Sequence, residues 1–217
     1  MRYNTALANR NSYLKMGSDE EMLRIYDAQM APAAEKIHKA RLEITELLYP
    51  LVCEYYRALS DDHEQVELEY RSELNNATLE ELLLASRERD RIMGFTTCGV
   101  QRDDLRFSIG GYPLRKYGSQ GQQKSFLIAL KLAQFDFLRR TGSNTAPLLL
   151  LDDIFDKLDA SRVEQIVKLV SGDKFGQIFI TDTNREHLDK IMEKIEGDYK
   201  VFGVSDGIVS ERKGAET

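Results

Sequence analysis

The chain has 217 residues, 42% of them hydrophobic, and a formal net charge of −6. That length and apolar content support one or two domains with a real core, and the acidic balance argues against a protein that coats nucleic acid over its whole surface, whose usual footprint is basic. No apolar run approaches the roughly eighteen residues of a membrane span. The N-terminus lacks a signal-peptide apolar region, and two cysteines, Cys53 and Cys98, fit neither a disulfide framework nor a zinc site. A reducing cytoplasm is the expected compartment. His38, His63 and His187 are scattered and are expected on surfaces or helix faces.

Residues 1–93 read as largely helical. Ser18-Asp-Glu-Glu21 is a capping box that opens a helix. Ile37, Ala40, Ile44, Leu47 and Leu51 recur at 3–4 spacing and form one apolar stripe, expected to pack in a small helical bundle. Two heptads are too few for a coiled coil. Pro32 and Pro50 are expected to kink or divide this helix. Val66–Tyr70 alternates like a short strand. Thr78-Leu-Glu-Glu81 caps a further helix that ends near Gly94, and its Arg87, Arg89 and Arg91 alternate with acids, as on a solvated face more than on a DNA-binding patch.

Residues 94–217 read as α/β, so the one candidate border lies near 93–96. Leu105–Ile109 alternates, and Gly110-Gly111 turns it into Tyr112-Pro-Leu. The small, polar run Gly118–Gln123 leads into a strong helical pattern that stops at Gly142. A Ser/Gly loop opening a helix presents backbone N–H groups and the positive dipole end to phosphate; it is also how an ordinary helix begins, with Ser119 as its cap. Leu148–Leu151 is a wholly apolar run suited to the centre of a parallel sheet covered on both faces. Asp152 and Asp153 follow at its C-terminal end, where open α/β sheets bind ligands. Paired acids there suit a Mg²⁺-nucleotide, one organising the metal's water shell and the other orienting an attacking water; a core strand followed by a solvated turn gives the same letters. A helix over roughly 160–171, a strand Gln177–Thr181, a capping box Thr183-Asn-Arg-Glu186 and a hairpin around Ser205-Asp206 complete the chain.

In this order, the motifs resemble the C-terminal half of an ABC-type ATPase head. Ser119-Gln120-Gly121-Gln122 resembles the signature motif, Leu148–Asp153 Walker B, and Leu158-Asp159 the D-loop. The chain is more closely similar to the RecF family, bacterial recombination and repair ATPases related to SMC and Rad50 heads. Gln101-Arg102-Asp103-Asp104-Leu105, Ala129–Ala133, Gln177–Thr181 and Arg10-Asn11 followed by Leu14-Lys15 carry that likeness. The resemblance implies an α/β fold, with a helical arm at 1–93 and the second lobe of the head at 94–217. It implies that Asp152 holds Mg²⁺ and that Asp153 polarises the attacking water. Ser119, Gln120, Gly121 and Gln122 would face the γ-phosphate of ATP held by a second protomer. Leu158 and Asp159 would lie at the dimer seam, Asp159 also serving as a helix cap, and Thr181 and Thr183 would form the switch region. Implied partners are DNA at single-strand/double-strand junctions, RecR/RecO-type mediators and a second copy in an ATP-dependent homodimer.

Another SMC- or Rad50-like head would carry much longer coiled coils. A transporter subunit would read Leu-Ser-Gly-Gly-Gln with a His switch, whereas this chain has Thr181-Asp-Thr-Asn184, which implies slow hydrolysis. A fourth reading is a non-catalytic interaction module. The family's usual His before Arg102 is Gln101 here, and an internal ion-pair network is the expected role of Arg102-Asp103-Asp104. No G-x-x-x-x-G-K-[ST] occurs: Gly118–Ser125 carries Lys-Ser but has Gln123 where the second glycine is required. The chain is therefore expected to be a C-terminal piece that lacks Walker A and does not hold ATP tightly alone.

Overall fold

A computed structural model describes residues 2–17, 19–60, 64–142, 147–153, 155, 158–172, 174–183 and 199–212. They form two compact units, Met1–Ser143 and Asn144–Thr217.

The first unit is built on α2 (Glu20–Leu59), preceded by α1 (Arg2–Lys15). Asp19 caps α2, its side chain accepting the Glu21 N–H at 2.8 Å; Ser18 lies outside the described residues. Pro32 and Pro50 do not divide the helix, which runs unbroken through both. Each proline removes one N–H and crowds the preceding turn, yet packing holds the helix on either side. Met30, Ala31 and Ala34 enter a core with Tyr3, Ala6, Leu79 and Leu83. Leu51, Val52, Tyr55, Tyr56 and Leu59 are buried further along. The expected stripe is broken between these anchors: Leu51 is buried and Ile37 half-buried, but Ile44 is 49% and Leu47 57% exposed.

Two short helices replace the single one expected after Thr78. α3 (Leu79–Ala85) starts with the Thr78/Glu81 capping box, and α4 (Arg87–Met93) ends at Gly94 with φ +70°. Ser86 separates them, its hydroxyl turned to Leu83 O and Asp90. β1 (Val66–Arg71), β2 (Asp104–Ile109) and β3 (Tyr112–Pro113) form an antiparallel sheet in that order. The β1–β2 ladder spans the border expected at 93–96, so that border falls inside the first unit. α5 (Leu114–Tyr117) and α6 (Gln120–Thr141) follow. Phe126 of α6 seals the core against Tyr56 and Phe107, with ring centroids 5.9 and 4.8 Å away.

In the second unit β4 (Leu149–Asp152) pairs in parallel with β5 (Ile178–Thr181), with α7 (Ala160–Val170) between them in sequence. Ile166, Val167 and Val170 of α7 are buried. The apolar run is covered on one face, not two: Leu149 and Leu151 are buried, whereas Leu150 is 67% exposed and lies opposite the exposed Phe179. β6 (Val201–Ser205) and β7 (Ile208–Arg212) form the expected hairpin, turning at Asp206-Gly207 with φ +51° and +78°. The helix expected after Thr183 lies outside the described residues, as do His63 and His187. His38 donates from Nε2 to Asn75 Oδ1 at 2.8 Å. Among the described residues no helix is long and apolar enough to cross a membrane.

Candidate functional site

Ser119–Gln122 belong to the first unit, at the start of α6. Ser119 Oγ accepts the Gln122 N–H at 3.2 Å, and Gln122 Oε1 accepts the Ser119 N–H at 2.8 Å. This is a reciprocal capping box, and the spacing Ser119-x-x-Gln122 announces it in the sequence. Gln122 Nε2 also donates to Glu64 at 2.9 Å, tying the turn to the segment after α2. Ser119 and Gln120 are exposed; Gly121 and Gln122 are half-buried. Gly118 is needed for the approach of α5, because a Cβ there would meet Leu114 Cδ1 and the Leu114 carbonyl oxygen at 2.7 Å each.

Asp152, Asp153, Leu158, Asp159, Thr181 and Thr183 belong to the second unit. The register places Asp152 opposite Thr181 at the ends of β4 and β5. The Thr181 hydroxyl donates to Asp152 Oδ1 and accepts the Asp153 N–H at 3.2 Å; the Thr181 carbonyl takes the same N–H at 3.1 Å. Asp153 sits at φ +47°, a left-handed conformation uncommon outside glycine. Such backbone persists where surrounding bonds over-determine it and is concentrated at functional turns; here the Thr181 contacts hold it. Both carboxylates are exposed beyond the strand end.

Among the described residues no group of three acids, histidines or cysteines could cage a metal alone. The Asp152/Asp153 pair, offering hard carboxylate oxygens, fits Mg²⁺ that takes its other ligands from phosphate and water. Thr183 is exposed and forms no hydrogen bond among the described residues. Asp159 caps α7: Oδ1 accepts the Arg162 N–H at 2.9 Å and Oδ2 lies 3.3 Å from Arg162 Nε. The Leu158 N–H bonds to Phe155 O at 3.3 Å.

A buried polar cluster in the first unit was not legible locally. Arg10, with no exposed surface, donates to Asp27 at 2.7 Å and to Asp90 and Thr96 at 2.8 Å each. Arg87 pairs with Asp27 and Glu20, and Arg91 reaches Glu20 at 2.8 Å. Arg87 is thus buried, not on a solvated face; helical spacing looks the same in either setting, and its partners come from α2. Asn11 accepts from the Thr96 N–H at 2.8 Å, so the Arg10-Asn11 pair clamps α1 to α2, α4 and the segment after Gly94. A second cluster centres on Asp103, which takes Arg41 at 2.7 Å and the Tyr70 hydroxyl. Burial and the hydrogen bond to Asp103 push the Tyr70 phenol up. Arg102 and Asp104, beside it in the sequence, are exposed.

No family model matches the chain. A solved SMC ATPase structure shares its fold, with a TM-score of 0.51 at 14% identity over 80% of this chain and 87% of that one. The described residues thus have the mixed α/β fold of an ATPase-head lobe. A solved structure of the recombination mediator protein RecF-ATP in the RecFOR pathway matches with a TM-score of 0.75 and 30% identity, over 98% of this chain and 57% of that one. The DNA replication and repair protein RecF of Phocaeicola vulgatus is 56% identical over 215 residues, 98% of this chain. The chain belongs to the RecF family, and it spans 58% of the length of that relative.

Proposed function

We propose that these residues form the signature-bearing lobe and arm of a RecF-type ATPase that binds ATP, dimerises on gapped DNA and aids recombinase loading in recombinational repair and replication restart. The observation that carries this reading is the Asp152–Thr181–Asp153 arrangement at the end of a parallel strand pair. Asp152 would hold Mg²⁺, which supplies charge neutralisation at the phosphates when bound. Asp153, aimed by its left-handed backbone, would accept hydrogen bonds from the attacking water and polarise it. Thr181 positions both acids, and Thr183 lies in the same switch segment. Ser119, Gln120, Gly121 and Gln122 would meet the γ-phosphate held by a second protomer, where the helix N-terminus and its N–H groups favour the anion. Leu158 and Asp159 would lie at the seam. Mutual capture of ATP makes the dimer ATP-dependent by mass action.

The 217 residues contain no G-x-x-x-x-G-K-[ST], so tight ATP binding needs a phosphate loop from elsewhere in a full-length protein. A helical arm at 1–93 that shares the β1–β2 ladder with the segment after it, a cytoplasmic location, junction DNA and RecR/RecO-type mediators belong to the same proposal.

The test uses a full-length RecF protein bearing this sequence. Asp153→Asn should keep ATP binding and the ATP-dependent dimer while lowering turnover about 10²–10⁴-fold, the usual contribution of a positioned base. Unchanged turnover would remove Asp153 from the chemistry. Tight ATP binding by the 217-residue chain alone would contradict the shared-site reading.

A further inference from the structure

β2 pairs with β1 along its whole length but with β3 only at Ser108 and Ile109. The alternation of an antiparallel ladder fixes where its remaining backbone groups point. The Gly110 N–H bonds to Gln65 O at 3.1 Å on the β1 side. Positions 104, 106 and 108 therefore turn their backbone groups to β1, and 105, 107 and 109 turn theirs the other way. β3 ends at Pro113, and the chain then coils into α5. Leu105 and Phe107 are left with an edge along which, among the described residues, no strand lies. Asp104 Oδ1 holds the Leu105 N–H at 2.9 Å; the Leu105 carbonyl and both backbone groups of Phe107 have no partner among the described residues.

This edge opens on a cavity of about 430 Å³ between β2, α5 and the first turns of α6. Leu105, Phe107, Leu114, Phe126, Leu127 and Leu130 line it, and Leu127 is 54% exposed although it belongs to the α6 wall. Arg106 and Arg115 also border it, and neither forms an ion pair among the described residues; Asp104 is the one acid there. An open strand edge beside an apolar groove is the geometry by which a sheet accepts an extended peptide: the main chain supplies affinity, and alternate side chains fill the groove. In the register that sets Leu105 opposite Phe107, a second copy of the same edge would place Arg106 beside Arg106, a like-charge contact.

We propose that the β2 edge accepts an extended segment of a partner protein as an added strand. Every second residue of that segment is apolar, filling the groove beside Leu105 and Leu127. The residues between are acidic, meeting Arg106 and Arg115.

The probe is an end-blocked, fluorescein-labelled heptapeptide alternating glutamate and valine, titrated into the 217-residue chain and followed by fluorescence anisotropy and by amide exchange at Phe107. Saturable binding with slowed Phe107 exchange is expected. Arg106→Glu should weaken it about tenfold, and Leu127→Glu should abolish it. The same peptide with lysine for glutamate, or with alternate amides N-methylated, should not bind. Both substituted side chains lie at the surface, so either variant tests the edge if the other misfolds. Absence of saturation by about 1 mM, equal binding of the N-methylated peptide, or indifference to both substitutions overturns the proposal. So does binding by the 217-residue chain but not by a full-length RecF protein bearing it, because the edge then belongs to that protein's own remaining segment.

Discussion

Replacing Arg10 by methionine keeps most of the apolar stem and deletes the guanidinium that three elements share. In the native cluster Arg10 gives Nε to Asp27 and Nη1 to Asp90 and Thr96. The two acids fare differently once it is gone. Asp27 keeps Arg87. Asp90, whose side chain is 0% exposed, keeps the Thr97 N–H at 2.8 Å, the Thr97 hydroxyl at 2.6 Å and the Ser86 hydroxyl at 3.3 Å, but no counter-charge. Breaking a buried pair by removing one partner costs about 3–5 kcal/mol, a large share of the roughly 5–15 kcal/mol that holds a typical domain. Asp90→Asn added to Arg10→Met removes the stranded charge and leaves an amide oxygen for Thr97. The double variant is expected to regain about 1–2 kcal/mol, a coupling within the range of contacting residues. Urea unfolding of the four members of this cycle measures it. If Arg10→Met costs under about 1 kcal/mol, or if the two changes simply add, the clamp reading of Arg10 fails.

Ser119 can be tested for its two roles separately, because aspartate caps helices as well as serine does. Ser119→Ala should cost about 1 kcal/mol in urea unfolding, whereas Ser119→Asp should hold stability and, in a full-length protein, abolish ATP-dependent dimerisation by facing a phosphate with a carboxylate; dimers that survive Ser119→Asp would leave only the cap. Thr181→Val removes the hydroxyl between Asp152 and Asp153 and should cost about 1 kcal/mol, with turnover in the full-length protein falling while the dimer persists; unchanged steady-state turnover would deny Thr181 its positioning role. Gly118→Ala drives a methyl to 2.7 Å from the Leu114 carbonyl oxygen, backbone that cannot move aside without opening α5. A loss of about 1–3 kcal/mol is expected, read as a lower urea midpoint.

What was legible in the sequence depended on locality. The Thr78/Glu81 box, the Gly94 stop, the alternation of β1 and the Asp159 cap are each decided by residues within a few positions of one another, and each is present, whereas β2 forms its strand without alternating in burial. The continuity of α2 was not legible, because local rules speak against Pro32 and Pro50 while distant packing holds the helix through both. Nor was the exposure of Ile44 and Leu47: a periodic stripe reports which face is apolar, not whether anything covers it. Arg10 lies 17 residues from Asp27 and 80 from Asp90, so no spacing rule connects them. Of Arg102-Asp103-Asp104, only Asp103 turns inward, since Arg41 and Tyr70 come from α2 and β1 to meet it.

The carboxylate pair shows why motif order was readable while geometry was not. Asp152 and Asp153 are adjacent letters, but what unites them is Thr181, delivered by β5 after the α7 crossover. That delivery depends on the parallel register, in which Leu149 and Leu151 lie opposite Ile178 and Ile180, with Asp152 opposite Thr181. A slip of one residue would turn every β5 side chain to the other face and bring Ile180 or Asp182 to the position now held by the Thr181 hydroxyl. An isoleucine there offers Asp152 no donor, and an aspartate sets a third negative charge beside the first two. The buried leucines of β4 therefore act on the acids at a distance: by fixing register, they determine that a hydroxyl, and not a methyl group or another carboxylate, stands between Asp152 and the Asp153 N–H.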